Sequence, residues 1–170
     1  MSKKVLSISG GGIRGIIPAV ILIEIEKRTG KAISELFDLV AGTSTGGLLA
    51  LGLNVPDKDG KPKYSAQDML QLYFREGAKI FNRDGWYAIR SGWSLLDAKF
   101  EANGIEEVLE QYFGAVRLKD VLSEVLITSY ETQETVKPWF FKSRRAKEDE
   151  TYDFPLKLVG RATSAVVGHG

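Results

Sequence analysis

Two glycine-rich turns carry the residues best suited to chemistry in this sequence. Gly42-Thr43-Ser44-Thr45-Gly46 has the form G-x-S-x-G. A serine so placed sits on a sharp strand-to-helix turn. Its strained backbone presents the hydroxyl, and glycines two residues to either side relieve crowding against the neighbouring strand and helix. Ser44 is therefore the candidate nucleophile, and Gly42, Thr43 and Gly46 form its elbow. The N–H of Thr45, opening the following helix, would point toward a developing oxyanion, with the helix dipole favouring negative charge there. Gly, Ser and Thr also make ordinary turns, so the pentapeptide by itself leaves both readings open.

The other turn, Gly10-Gly11-Gly12-Ile13-Arg14-Gly15, likewise follows an apolar segment and opens a helical one. Glycines allow close backbone approach, and successive amides at a helix start make an anion site. Two anions compete for it. Gly10, Gly12 and Gly15 satisfy the G-x-G-x-x-G spacing of a dinucleotide pyrophosphate loop, but that reading needs an acidic residue at the end of the second strand. There the sequence has Gly42-Thr43-Ser44, with Asp38 inside the strand, and neither loop ends in the Gly-Lys-Ser/Thr of a nucleotide triphosphate loop. The other anion is the tetrahedral intermediate of acyl transfer, held by the amides of Gly11 and Gly12 while Ser44 attacks. Arg14 could fix the loop and place positive charge near the oxyanion, or pair with Glu24 or Glu26.

Composition narrows the chemistry. There is no cysteine and one histidine, His169, which removes thiolate catalysis, disulfides and cysteine metal sites, and no metal or cofactor is expected. Balanced totals of 23 basic and 22 acidic residues give no field that would attract nucleic acid. The N-terminal apolar segment is too short for a signal-peptide core, and the most apolar run, residues 16–25, contains Pro18 and Glu24 and falls short of the roughly 20 residues that span a bilayer. A soluble, single domain over residues 1–170 is expected.

The elements that must position the two turns follow from periodicity. Residues 4–9 read as a strand and residues 16–29 as a helix, with Pro18 in its first turn and Gly30 after its end. A second strand at residues 36–41 leads through the Ser44 turn into a helix from Leu48. Two strand-turn-helix units in series predict parallel strands with both loops at the carboxyl edge of one sheet, where α/β proteins bind ligands. Residues 54–63 read as a polar loop and residues 66–80 as a helix. Residues 81–100 read as a long connection whose aromatics pack on the core, or as a lid over an apolar pocket. Gly104 to Phe113 reads as a helix, 118–122 as a shorter one, 124–130 as a strand, and 137–142 as its antiparallel continuation. Residues 142–149 read as a charged, exposed loop.

Ser9-Gly10-Gly11-Gly12-Ile13-Arg14-Gly15 resembles the D-G-G-G-x-R/K-G oxyanion loop of patatin-like phospholipases, and Gly42-Thr43-Ser44-Thr45-Gly46-Gly47 resembles their nucleophile segment. Pro138-Trp139-Phe140-Phe141 and Arg161-Ala162-Thr163-Ser164-Ala165 are similar to stretches of bacterial members, so the resemblance covers residues 3–165 and implies a cytoplasmic, bacterial protein. It implies a three-layer α/β/α fold around a mainly parallel sheet. The implied activity is hydrolysis of lipid or small acyl esters by a serine–aspartate dyad without histidine, with transient contact at a membrane surface. The family's aspartate lies in a D-G-G or D-G-A segment beyond the Arg161 stretch, whereas here Val166-Val167-Gly168-His169-Gly170 follows. The resemblance thus implies a C-terminally truncated member lacking that aspartate. A fragment that binds lipid or acyl chains with impaired turnover is the alternative. Asp59-Gly60 and Asp84-Gly85 read as turns, and His169 as an outside candidate for the base. Absent later strands would leave a sheet edge open to association with a second copy.

Overall fold

The structure is a computed structural model that describes residues 2–80, 97–132 and 136–165. Strand β1 (Val5–Ile8) runs into the first glycine turn, a 3-10 turn at Gly12–Gly15, and helix α1 (Ile16–Thr29). Gly30, in the left-handed region at φ 65°, ends α1 by donating its N–H to the Glu26 carbonyl at 2.8 Å. The short helix α2 (Ile33–Leu36) precedes β2 (Leu39–Thr43), and α3 (Thr45–Gly52) begins directly after Ser44. Then come α4 (Ala66–Ile80), α5 (Asp97–Phe113), β3 (Glu124–Glu131), β4 (Lys137–Lys142), α6 (Ser143–Glu148) and α7 (Leu156–Ser164).

The strands form one sheet in the order β1-β2-β3-β4, with β1, β2 and β3 parallel and β4 antiparallel. Ile8, Gly42 and Ile127 stand side by side in register, so both glycine turns leave the same carboxyl edge, as expected. Ile8, Val40, Val125 and Ile127 point to one face and are buried beneath helices. Helix α3 is buried at every residue, because a helix apolar all round has no side to offer water. The alternate residues face the other way, and Val5, Tyr130 and Phe140 on that face are about half exposed. Among the described residues the sheet therefore carries helices mainly on one face. The mainly parallel α/β architecture is as expected, and the other outer layer is not among them.

Several local expectations change. Residues 143–148 are helical, not an exposed loop. Ser143 and Ala146 are buried, the Ser143 hydroxyl accepts the Val125 N–H at 2.9 Å, and Arg144 pairs with Glu148 one turn on. Charge was a poor guide there because Arg, Ala, Lys and Glu are all good helix formers. Helix α5 begins at Asp97, with Gly104 inside it rather than at its start, so the last residues of the expected long connection are helical. Residues 81–96, and with them Asp84-Gly85 and the aromatics read as a connection or lid, lie outside the described residues. Leu36 closes α2 rather than opening β2, and Asp38 precedes the strand, its carboxylate accepting the Lys4 N–H at 2.8 Å. Asn54, placed in the polar loop, is fully buried and satisfied. It donates to the Ala50 carbonyl and accepts from both the N–H and the hydroxyl of Ser123, pinning the approach to β3.

Candidate active site

Ser44 occupies the turn between β2 and α3 with φ 53° and ψ −126°, a conformation that L residues rarely adopt. Such strain persists only where the surroundings over-determine it. Three backbone contacts do so. A Cβ on Gly42 would drive into the Gly46 carbonyl, and one on Gly46 into the Ile8 carbonyl, so β1, the elbow and the first turn of α3 pack backbone against backbone. A Cβ on Gly10 would lie 2.8 Å from the Thr43 carbonyl oxygen and 3.0 Å from the Ser44 Cβ, which brings the glycine loop against the nucleophile turn. The structure therefore joins the two turns that the sequence pairs.

Within the glycine loop, Gly12 has φ 60°, and the N–H and Nε of Arg14 both donate to the Gly11 carbonyl, at 3.2 and 3.4 Å. A planar trans peptide holds its C=O and N–H in opposite directions. With the Gly11 carbonyl turned to Arg14, the Gly12 N–H points to the other side. Arg14 thus braces the loop. The pairing with Glu24 or Glu26 is not made, because Glu24 bonds Arg28 and the Glu26 carboxylate accepts the N–H groups of Ile33 and Ala66, capping α2 and α4. Gly15 serves packing: a Cβ there would stand 2.5 Å from the Tyr73 hydroxyl. That hydroxyl donates to the Thr45 carbonyl at 3.2 Å, and burial pushes its pKa well above the ordinary phenol value.

Thr45 is buried and, as the first residue of α3, has an N–H with no intrahelical carbonyl to bond. The Thr43 hydroxyl meets that of Thr128 at 2.7 Å. Two residues escaped the sequence reading of the site. Thr163, on α7, accepts the Ser44 N–H through its hydroxyl at 2.8 Å, and Thr128, on β3, accepts the Thr163 hydroxyl at its carbonyl at 2.7 Å. The only signal for Thr163 was its place in the Arg161-Ala162-Thr163-Ser164-Ala165 stretch.

Among the described residues no carboxylate or imidazole is hydrogen-bonded to the Ser44 hydroxyl, and none form a cluster able to hold a metal ion. His169 lies outside the described residues. Asp59 sits in the turn closed by the Asp57 carboxylate, which accepts the N–H groups of Asp59 and Lys61. Among the described residues no helix is long and apolar enough to cross a membrane.

The family model for patatin-like phospholipases matches residues 6–168. Patatin-like protein 4 of Arabidopsis thaliana is 33% identical over 168 residues, which cover 95% of this chain and 42% of that protein. Patatin-17 of Solanum cardiophyllum is 35% identical over 168 residues, covering 95% and 41%. The protein named probable inactive patatin-3-Kuras 1, from Solanum tuberosum, is 36% identical over 153 residues, covering 86% and 39%. The chain thus spans about two fifths of the length of these relatives. They are plant proteins and lend no support to the bacterial source expected from the sequence. With paired turns at one sheet edge and a family match over nearly all its length, the chain belongs to the patatin-like phospholipase family.

Proposed function

We propose that this protein is a serine hydrolase of lipid or small acyl esters, with Ser44 as nucleophile and the glycine loop as oxyanion hole. The observation that carries the reading is the left-handed backbone of Ser44 at the carboxyl edge of the sheet, pressed against Gly10. In the reaction, the Ser44 Oγ attacks the ester carbonyl and gives up its proton. The carbonyl oxygen becomes an oxyanion that the amides of Gly11, Gly12 and Thr45 stabilise. Collapse of the intermediate breaks the ester C–O bond, the departing alkoxide takes a proton, and water later hydrolyses the acyl-enzyme. Arg14 holds the loop in shape.

The reaction requires a group that accepts the Ser44 proton. A serine hydroxyl is a weak nucleophile without such a partner, and its loss lowers catalysis by about three or more powers of ten while the oxyanion hole leaves some activity. A protein that binds acyl chains with little turnover is the second reading, supported by the similarity to the protein named probable inactive patatin-3-Kuras 1. Contact with a lipid surface is supported by the exposed apolar residues Ile13, Ile17, Val20 and Ile21, which follow one side of the glycine loop and α1.

Labelling with a fluorophosphonate probe tests the nucleophile directly: covalent modification of Ser44, abolished in Ser44→Ala, is expected. An unmodified Ser44 in the folded protein overturns the assignment. Ester turnover lost in Ser44→Ala supports the hydrolase. Fatty-acid binding with labelling but no turnover supports the second reading.

A further inference from the structure

The nucleophile turn has a gap in its backbone hydrogen bonding that, among the described residues, one side chain fills. Thr43, the last residue of β2, stands in register with Thr128 on β3. A parallel ladder carried one residue further would join the Ser44 N–H to the Thr128 carbonyl. The elbow turns the chain away at that point. In place of the direct bond, the Thr163 hydroxyl stands between the two groups, accepting from Ser44 at 2.8 Å and donating to Thr128 at 2.7 Å. The roles have no alternative, since an N–H can only donate and a carbonyl can only accept, so the single hydroxyl proton is committed to Thr128. Thr163 is buried, so water has little access to replace it.

We infer that Thr163 is a positioning residue for Ser44, its hydroxyl completing the interrupted rung and thereby holding the nucleophile's peptide in the strained conformation that presents Oγ. The glycine contacts leave room for the turn but make no hydrogen bond to it. Thr163 supplies one, from a helix 119 residues further along the chain. The inference rests on the reading of Ser44 as nucleophile and assigns a role to the Arg161-Ala162-Thr163-Ser164-Ala165 stretch. Helix α7 also docks on β3 through the Ser129 hydroxyl, which donates to the Ala162 carbonyl at 3.0 Å without touching Ser44. Ser129 therefore provides the structural control.

Thr163→Val, Thr163→Ser and Ser129→Ala are compared with the wild type by two readouts: the hydrogen-exchange rate of the Ser44 amide, and the rate of fluorophosphonate labelling. The wild-type Ser44 amide should be protected. In Thr163→Val its exchange should quicken at least tenfold, and labelling should slow by about ten- to a hundredfold. Thr163→Ser should restore labelling to within about fivefold, and Ser129→Ala should leave it within about threefold at whatever melting temperature it has. Labelling at the wild-type rate in Thr163→Val, or equal losses in Ser129→Ala and Thr163→Val, would overturn the inference. So would an unprotected Ser44 amide in the wild type, a result that needs no variant to fold. A wild type whose Ser44 amide is protected but never labelled would count against the nucleophile reading and leave the clamp standing.

Discussion

Where β1 and β2 leave the sheet, backbone touches backbone; on the β4 side, side chain touches side chain. Gly10, Gly42 and Gly46 hold the first region by what they lack, letting carbonyls and peptide planes approach where any Cβ would intrude. The second region is filled by large groups. Phe141 meets Phe154 edge-on with ring centroids 5.3 Å apart, Trp139 stacks on Tyr152 at 6.4 Å, and the Arg145 guanidinium lies 3.5 Å from the Tyr152 centroid. Nearby, Arg117 and Lys119 converge on the buried carboxylate of Asp153. A contact made of backbones tolerates almost no substitution, whereas a contact made of side chains can lose one member and partly readjust. The two regions should therefore fail differently.

The sharpest break in the comparison is Gly46→Ala. Its methyl group would meet the Ile8 carbonyl, and neither β1 nor α3 can move without opening the sheet edge. A loss of about 4 kcal/mol or more is expected from urea denaturation, at the extreme for single substitutions. A loss below about 1 kcal/mol would show that the elbow and β1 separate easily.

Asp153→Asn tests the other region. The Asp153 carboxylate accepts from Arg117 Nε at 2.7 Å and from the Lys119 N–H at 3.0 Å, while the Arg117 guanidinium also reaches the Asp153 carbonyl. Burial pushes its pKa up, but the hydrogen bonds from Arg117 and Lys119 outweigh that and hold it below the ordinary carboxylate range. A depressed folded pKa means that the carboxylate stabilises the protein above its unfolded value near pH 4, and that this contribution is lost as the pH falls further. The substitution should cost about 3 kcal/mol at neutral pH, with the difference from wild type shrinking below about pH 4. A difference independent of pH would remove the charge from the account.

Gly10→Ala should separate stability from chemistry. The nearest atoms to its added methyl are the Thr43 carbonyl oxygen at 2.8 Å and the Ser44 Cβ at 3.0 Å, and the loop around Gly10 is exposed enough to shift. A cost of about 1–2 kcal/mol is expected, together with at least a tenfold slower labelling of Ser44. Unchanged labelling would mean that the loop's approach to Ser44 does not shape the site.

This contrast also explains what could be read from the sequence. Gly10, Gly42 and Gly46 are legible because a backbone contact demands glycine at a fixed local spacing, and Gly12 and Ser44 because each turn needs a residue at positive φ there. The parallel units β1-α1 and β2-α3 follow from the same local pattern. The roles of Thr163, Asp153 and Asn54 are not legible, since each acts through a partner far along the chain; the Arg161-Ala162-Thr163-Ser164-Ala165 stretch marks Thr163 by resemblance without saying what its hydroxyl bonds. Helix α6 was hidden for a related reason: its charges suggest a solvated loop, and the contacts that make it a docked helix, Ser143 to Val125 and Arg145 to Tyr152, come from other elements.

The smallest expected effect falls on the sheet face that the helices leave bare. Phe140 lies on β4 between the packed rings of Trp139 and Phe141, yet it points the other way, is 50% exposed, and has the Lys142 ammonium 6.0 Å from its ring centroid. Replacing it with Thr keeps a residue suited to a strand and removes little buried area. Phe140→Thr should change stability by no more than about 0.5 kcal/mol in dilute protein, although its neighbours on either side, Trp139 and Phe141, are partly buried in ring contacts. A larger loss that grows with protein concentration would mean that a second copy covers this face, because stability linked to assembly depends on concentration and intramolecular stability does not. Sedimentation of wild type and Phe140→Thr across the same concentrations would show which holds. Equal, concentration-independent profiles would confine the side-chain-built region to the inner face of β4.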